Sequence, residues 1–231
     1  MNDESLADIR RDFERVAPDT VRQASTYAAS ILADVAGRRG TMDGRIAPLA
    51  PTMRVCGPAF TVEVRAGDNL MIHAAMALAK PGDVLVIDGK ADRSCALMGS
   101  IMLTACKALG LAGVVLDASI RDTEELRDLG FPVWAIGANP NGPTKNIAGR
   151  INWLISCGGV AVRPGDLIAG DADGVVVIER ERAASLLPLA AQKVADERQR
   201  IADIKSGKSI RPKWLDGALR AAGVLKDNES I

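Results

Sequence analysis

The chain has 231 residues, 48% hydrophobic and 25% charged, which is enough apolar mass for one sizeable core. Its 29 lysines and arginines balance 29 aspartates and glutamates, so no net field favours nucleic acid or an anionic membrane. No apolar run approaches the roughly 20 residues a membrane helix needs, and the single histidine, His73, excludes a three-histidine zinc site within one chain.

Over residues 5–36, apolar side chains recur every three or four positions, and Pro18-Asp19 divides them into two predicted helices. After a loop rich in glycine and proline, residues 55–64 alternate in their later half like a strand. Asp68-Asn69 opens a predicted helix over 70–78, and Lys80-Pro81-Gly82-Asp83 is a turn before an apolar strand over 84–87. Residues 99–109 read as a helix closed by Gly110, and 113–117 as a short buried strand. Thr123 is placed to cap a helix over 124–129, and 131–136 form a further strand. Strands alternating with helices predict a mostly parallel sheet.

From residue 158 onward, short strands are joined by tight turns, among them Arg163-Pro164-Gly165-Asp166, a twin of the turn at 81–83. Asp171-Ala172-Asp173-Gly174 lacks the further ligands of a calcium loop and reads as another turn. Residues 180–204 have helical periodicity, with Pro188 expected to kink the helix or start a new one, and 215–225 are helix-like. The expectation is one domain over 1–231. It comprises a helical arm (1–36), an α/β core (37–180) and a C-terminal helical arm (181–231).

Cys56, Cys95, Cys106 and Cys157 form no Cys-x-x-Cys pair and follow no secretory-signal pattern. Reduced, buried thiols and a cytoplasmic location are therefore expected.

Arg121-Asp122 directly follows a predicted buried strand, the place where ligands of open α/β sheets gather. An arginine fork holds a carboxylate bidentately, and an adjacent aspartate offers hard oxygens to Mg²⁺ or Mn²⁺. On local grounds alone, the commoner reading of such a pair is a surface salt bridge or a helix cap. Gly99-Ser100-Ile101, at a helix start, is a second candidate because free amides there bind anions, against the ordinary reading of Ser100 as an N-cap. His73 is a candidate acid-base group, although its neighbours Ile72, Ala74 and Ala75 suggest packing near a core, and Lys90 and Lys145, in polar loops, could reach an anion, although a solvated lysine is the commoner case.

Several blocks together carry a family resemblance: Gly57-Pro58-Ala59-Phe60-Thr61-Val62, Gly67-Asp68-Asn69, Pro81-Gly82-Asp83 with 84–88, 113–122 ending in Arg121-Asp122, and Arg163-Pro164-Gly165-Asp166 with Asp173-Gly174-Val175. In order and spacing the chain resembles the family of class II 4-hydroxy-4-methyl-2-oxoglutarate aldolases and the regulator of ribonuclease activity A. The resemblance covers residues 34–180.

It implies a swivelling β/β/α-type sandwich, assembled as a homotrimer or dimer of trimers with the active site between subunits. It further implies a metal-dependent lyase that releases pyruvate from a 4-hydroxy-2-oxo acid bearing a second carboxylate, or from oxaloacetate by decarboxylation. By the match Asp122 binds a divalent metal, Mg²⁺ or Mn²⁺, Arg121 grips the keto acid, and the Gly99-Ser100-Ile101 amides hold its carboxylate. A glutamate from an adjacent subunit's C-terminal helix corresponds to Glu197, with Glu181 as the rival. Where many of the aldolases carry an acidic residue about twenty positions before the aspartate of the Arg-Asp pair, this chain has Ser100. The alternatives implied are a non-catalytic regulator that binds a ribonuclease or other protein, and a related enzyme with a different substrate.

Overall fold

Val84, Leu85, Val86 and Ile87, like Val114, Val115 and Leu116, are apolar on both alternating faces, which suits a strand only when both faces are covered. The computed structural model, which describes residues 8–208 and 210–231, covers both. Strands β2 (Val55–Glu63), β3 (Val84–Met98), β4 (Gly113–Ile120) and β5 (Val133–Ala138) lie side by side and parallel, and the two-residue β1 (Ala47–Pro48) pairs antiparallel with β5. Helices α3 (Leu70–Leu78), α4 (Ser100–Ala108) and α5 (Thr123–Leu129) make the three crossovers. Crossovers of one hand between consecutive strands put all three helices on one face. Their Ile72, Leu103 and Leu126 accordingly share one core cluster with Phe60, Leu85, Ile87 and Leu116.

The opposite face presents Val84, Val86, Val115 and Trp134, and a second β layer covers it. That layer is built on the hairpin of β9 (Leu167–Asp171) and β10 (Gly174–Ile178), whose Ile168, Val175 and Val177 join the same cluster. Asp171 accepts its hairpin's own Asp173 N–H at 3.0 Å, so the Asp171–Gly174 stretch is the turn expected of it. Trp134 is fully buried between the layers and donates from Nε1 to Asp171 O at 3.1 Å. Gly170 is required beside it, since a Cβ there would sit 3.0 Å from Val55 and 3.2 Å from the indole. Two β layers and one helical layer make the β/β/α sandwich. Minor strands β6 (Arg150–Ile151), β7 (Ile155–Cys157) and β8 (Val160–Val162) complete it.

The N-terminal segment departs from expectation. Leu6 lies outside the described residues, and residues 8–17 are extended rather than helical. Their backbone is claimed by the core: Arg10 N–H donates to Ile151 O, Ile151 N–H to Asp8 O, and Val16 N–H to Gly165 O. Phe13 packs edge-on against Phe60 with ring centroids 5.9 Å apart. Arg15 grips the buried Asp83 with two hydrogen bonds of 2.7 and 2.8 Å. The first helix, α1 (Pro18–Ala24), begins at Pro18, a residue pre-set for a first helical turn, and α2 (Ala29–Val35) follows.

Strand β3 also runs eleven residues past its expected end at Ile87, through register shifts against β4. Lys90 and Ala91 there adopt positive φ, an uncommon conformation for non-glycine residues. The Lys90 ammonium holds the bend by bonding Asp88 at 2.7 Å and Glu63 at 2.9 Å.

One compact unit extends to Ala190 and a second covers 191–231. Helix α6 (Arg180–Lys205) continues through Pro188 rather than restarting there. Its Ala183, Leu186, Leu187 and Ala190 are buried, so the first turns of the expected C-terminal arm belong to the core unit. The second unit holds the rest of α6 and α7 (Leu215–Ala221).

Trp134→Ala removes the largest side chain between the β layers, leaves a cavity and loses the hydrogen bond to Asp171 O. A loss of about 3–5 kcal/mol is expected, read as a lowered urea midpoint with an unchanged slope.

Candidate active site

Strand β4 is buried along its whole length, and the chain must turn sharply where it emerges. Asp122 makes that turn at φ 60°, in the left-handed region, and is the residue preceding α5; Thr123, expected as the cap, is instead its first helical residue. The Asp122 carboxylate does not cap its own helix. It reaches the start of α4, where Oδ2 accepts the Ser100 N–H at 2.9 Å and the Ser100 hydroxyl at 3.1 Å. Arg121 Nε stands 3.7 Å from the same oxygen. Gly99 makes this approach possible, since a Cβ there would lie 2.4 Å from Oδ2 and 3.0 Å from Arg121 Cγ.

Helix starts leave their first amides without intrahelical acceptors. At α4 the Ser100 amide is taken by Asp122, and those of Ile101 and Met102 are the next two in the first turn. Gly99, Ile101, Met102, Arg121 and Asp122 border a cavity of about 140 Å³. The site residues expected from the sequence at 99–101 and 121–122 are therefore brought together, although the Ile101 side chain itself is 82% exposed at the rim. Glu197 lies in the second unit, paired with Lys193 at 3.0 Å, and Glu181 is paired with Arg180 at 3.1 Å.

Three further polar residues line the cavity, Asn69, His73 and Lys145. His73 is exposed, contrary to the reading that packed it near a core: Met71, Ile72, Ala75 and Met76 form the buried face of α3, and His73 falls off that stripe. Asn69 is buried in the floor, its Nδ2 donating to Leu97 O at 2.8 Å.

Lys145 arrives on a segment fastened by Asp68, which is 1% exposed. This carboxylate accepts the Thr144 hydroxyl and the Asn146 N–H at 2.7 Å, the Leu70 N–H at 2.9 Å and the Ile147 N–H at 3.3 Å. Burial alone would raise its pKa, but the hydrogen bonds from Asn146, Thr144, Leu70 and Ile147 outweigh that and hold it below the usual aspartate value.

The four cysteines are unpaired, and burial pushes the thiols of Cys56 and Cys106 up to about 12, which disfavours their thiolate forms. Among the described residues no helix is long and apolar enough to cross a membrane.

Residues 14–177 match the family described as RraA-like, Aldolase/RraA. The chain belongs to that family. A Halalkalibacterium halodurans relative named "Putative 4-hydroxy-4-methyl-2-oxoglutarate aldolase" is 42% identical over 182 residues, covering 79% of this chain and 87% of the relative. Among RraA-like folds, the crystal structure of Streptomyces coelicolor RraAS2, described as an unusual member of the RNase ES inhibitor RraA family, aligns with a TM-score of 0.75 at 26% identity. That alignment covers 82% of this chain and 99% of the other. The RNA-processing inhibitor RraA from Thermus thermophilis aligns with a TM-score of 0.60 at 27% identity, covering 65% and 91%.

The low pKa of Asp68 has a consequence for stability. Its stabilising contribution is complete above the unfolded aspartate value of about 3.9 and is lost as pH falls through the lower folded value. Asp68→Asn should flatten this acid limb and cost about 1–3 kcal/mol at neutral pH, measured by urea unfolding at pH 7 and pH 3.

Proposed function

We propose that this RraA-like chain is a carbon-carbon lyase that cleaves a short 4-hydroxy-2-oxo acid bearing a second carboxylate, or oxaloacetate, to pyruvate. The observation that carries this reading is the convergence of Arg121, Asp122 and the first turn of α4 on one cavity. The name of the relative at 42% identity agrees with it.

In retro-aldol cleavage the bond between C3 and C4 breaks and its electron pair passes to the pyruvyl unit as an enolate. The 4-hydroxyl gives up its proton to a base, C4 becomes a carbonyl, and protonation at C3 releases pyruvate. Oxaloacetate reaches the same enolate by losing carbon dioxide. Arg121 suits the keto-acid carboxylate by its fork, and the Ile101 and Met102 amides, at the positive end of α4, suit the negative charge that develops. In this reading Glu197 of an adjacent copy, within a trimer or dimer of trimers, is the base.

A divalent ion fits this donor set only in a largely hydrated form. Among the described residues no three histidine, cysteine or carboxylate groups cluster, and Asp122 is the carboxylate that borders the cavity. Magnesium keeps several waters and needs only one or two carboxylates. Asp122, held in place by Ser100, would be the residue to hold such an ion. When bound, Mg²⁺ or Mn²⁺ would supply Lewis-acid stabilisation of charge on the keto acid.

The test is pyruvate release from 4-hydroxy-4-methyl-2-oxoglutarate and from oxaloacetate with Mg²⁺ or Mn²⁺, repeated with chelator. Metal-dependent turnover is expected with at least one substrate. Asp122→Ala should lower it by about a hundredfold or more while the protein stays folded. Turnover of neither substrate would favour a regulator that acts by binding a protein partner.

Ser100 contacts Asp122 directly, so an acid at position 100 would stand against that carboxylate and add charge for the cation. Ser100→Asp should lower the Mg²⁺ concentration giving half-maximal turnover. A higher requirement would show that the serine's donation to Asp122 is what the site needs.

A further inference from the structure

We infer that Lys145 recognises the second carboxylate of the substrate and so sets the preference of this site for diacids. The inference rests on the lyase reading for its substrates, but its ground is separate, namely the charge and fastening of one wall of the cavity.

Two basic side chains and one carboxylate border the cavity, Arg121, Lys145 and Asp122. Arg121 stands beside Asp122, with Nε 3.7 Å from Oδ2. The Lys145 ammonium has no comparable carboxylate among the described residues, and its side chain is exposed. A monoacid held by Arg121 leaves this second cation uncompensated, whereas a diacid meets both.

The backbone that carries Lys145 is held from both sides. Before it, Thr144 N–H donates to Gly67 O at 2.8 Å, Thr144 O accepts the Asn69 N–H at 3.0 Å, and the Thr144 hydroxyl bonds Asp68. After it, the Asn146 and Ile147 amides donate to the same Asp68 carboxylate. Further back, Asn141 O accepts the Ala96 N–H at 2.9 Å and Asn139 Nδ2 donates to Arg93 O at 2.7 Å. The peptide of Lys145 is thus fixed to the strand and helix that form the rest of the cavity, and only its stem is left to adjust. A compact ammonium on a flexible stem suits a carboxylate whose position differs between acids with a five-carbon and a four-carbon main chain.

The test compares 4-hydroxy-4-methyl-2-oxoglutarate with 4-hydroxy-2-oxopentanoate, which has the same scissile bond and no second carboxylate. Lys145→Met, which keeps the stem and removes the charge, should raise KM for the diacid about tenfold or more. The rise should be markedly smaller for the monoacid, and Lys145→Arg should retain most of the diacid preference. An unchanged diacid KM in Lys145→Met, or an equal rise for both substrates, would overturn the assignment.

Calorimetric binding of 2-oxoglutarate and of pyruvate, neither of which is cleaved, separates this inference from the lyase reading. If turnover is absent yet Lys145→Met loses binding of 2-oxoglutarate and not of pyruvate, the lysine assignment stands without the lyase. If the wild-type protein binds the two acids equally, the assignment fails whatever the turnover.

Discussion

Strand β2 has to serve two layers at once. Its first half, Val55 to Pro58, pairs antiparallel with β9, and its second half, Ala59 to Glu63, pairs parallel with β3. The change of partner falls at Gly57-Pro58. Proline has no N–H to give a ladder and is tolerated where pairing is interrupted, while Gly57 stands where a Cβ would come within 2.5 Å of Gly82 O. With this strand shared, the hairpin is carried across the sheet face and Trp134 is enclosed. The other face is left to the three helices, whose connections to the strands bring 99–101 and 121–122 together at one end.

At that end, one carboxylate organises the site. A helix start needs acceptors for its first amides, and α4 takes its acceptor from the residue that opens α5. Asp122 therefore ties the starts of two crossover helices together. The arrangement also accounts for the left-handed turn at a non-glycine residue: an ordinary cap conformation would direct the carboxylate to its own helix. Strain of this kind persists where the surroundings over-determine it, and here Ser100 and Gly99 do so.

The central strand-helix units were legible in the sequence because their periodicities are local. Residues 84–87 and 113–117 could be read as strands, 70–78 and 99–109 as helices, and the Arg-Asp pair stood where such a sheet exposes its ligand end. What escaped was set by distant partners. Ile9, Phe13 and Val16 have helical spacing, yet Ile151 and Gly165 take the backbone of that segment and draw it out. Beyond Ile87, β3 is mostly polar over 88–94 and bulged before its apolar end at 95–98, so neither alternation nor a continuous apolar run marks it as one strand. Lys145 read as a solvated loop residue because the carboxylate that fixes its loop lies 77 residues away in sequence, at Asp68. His73 was misplaced by weighing its neighbours along the chain rather than its position around the helix.

The twin Pro-Gly-Asp turns have a shared design. In each, the aspartate bends back to accept the amide three residues earlier, Lys80 N–H to Asp83 and Arg163 N–H to Asp166. The neighbouring residues Arg15 and Val16 then tie the N-terminal segment to both, one by its side chain to Asp83 and the other by its backbone to Gly165. Asp166 in turn accepts the first amide of α6. Tension on the N-terminal segment would thus be delivered to two adjacent turns before it reached a strand. Mechanically, these turns are cleats at which chain segments from both ends of the core unit are made fast, and the sheet between them is shielded from the pull.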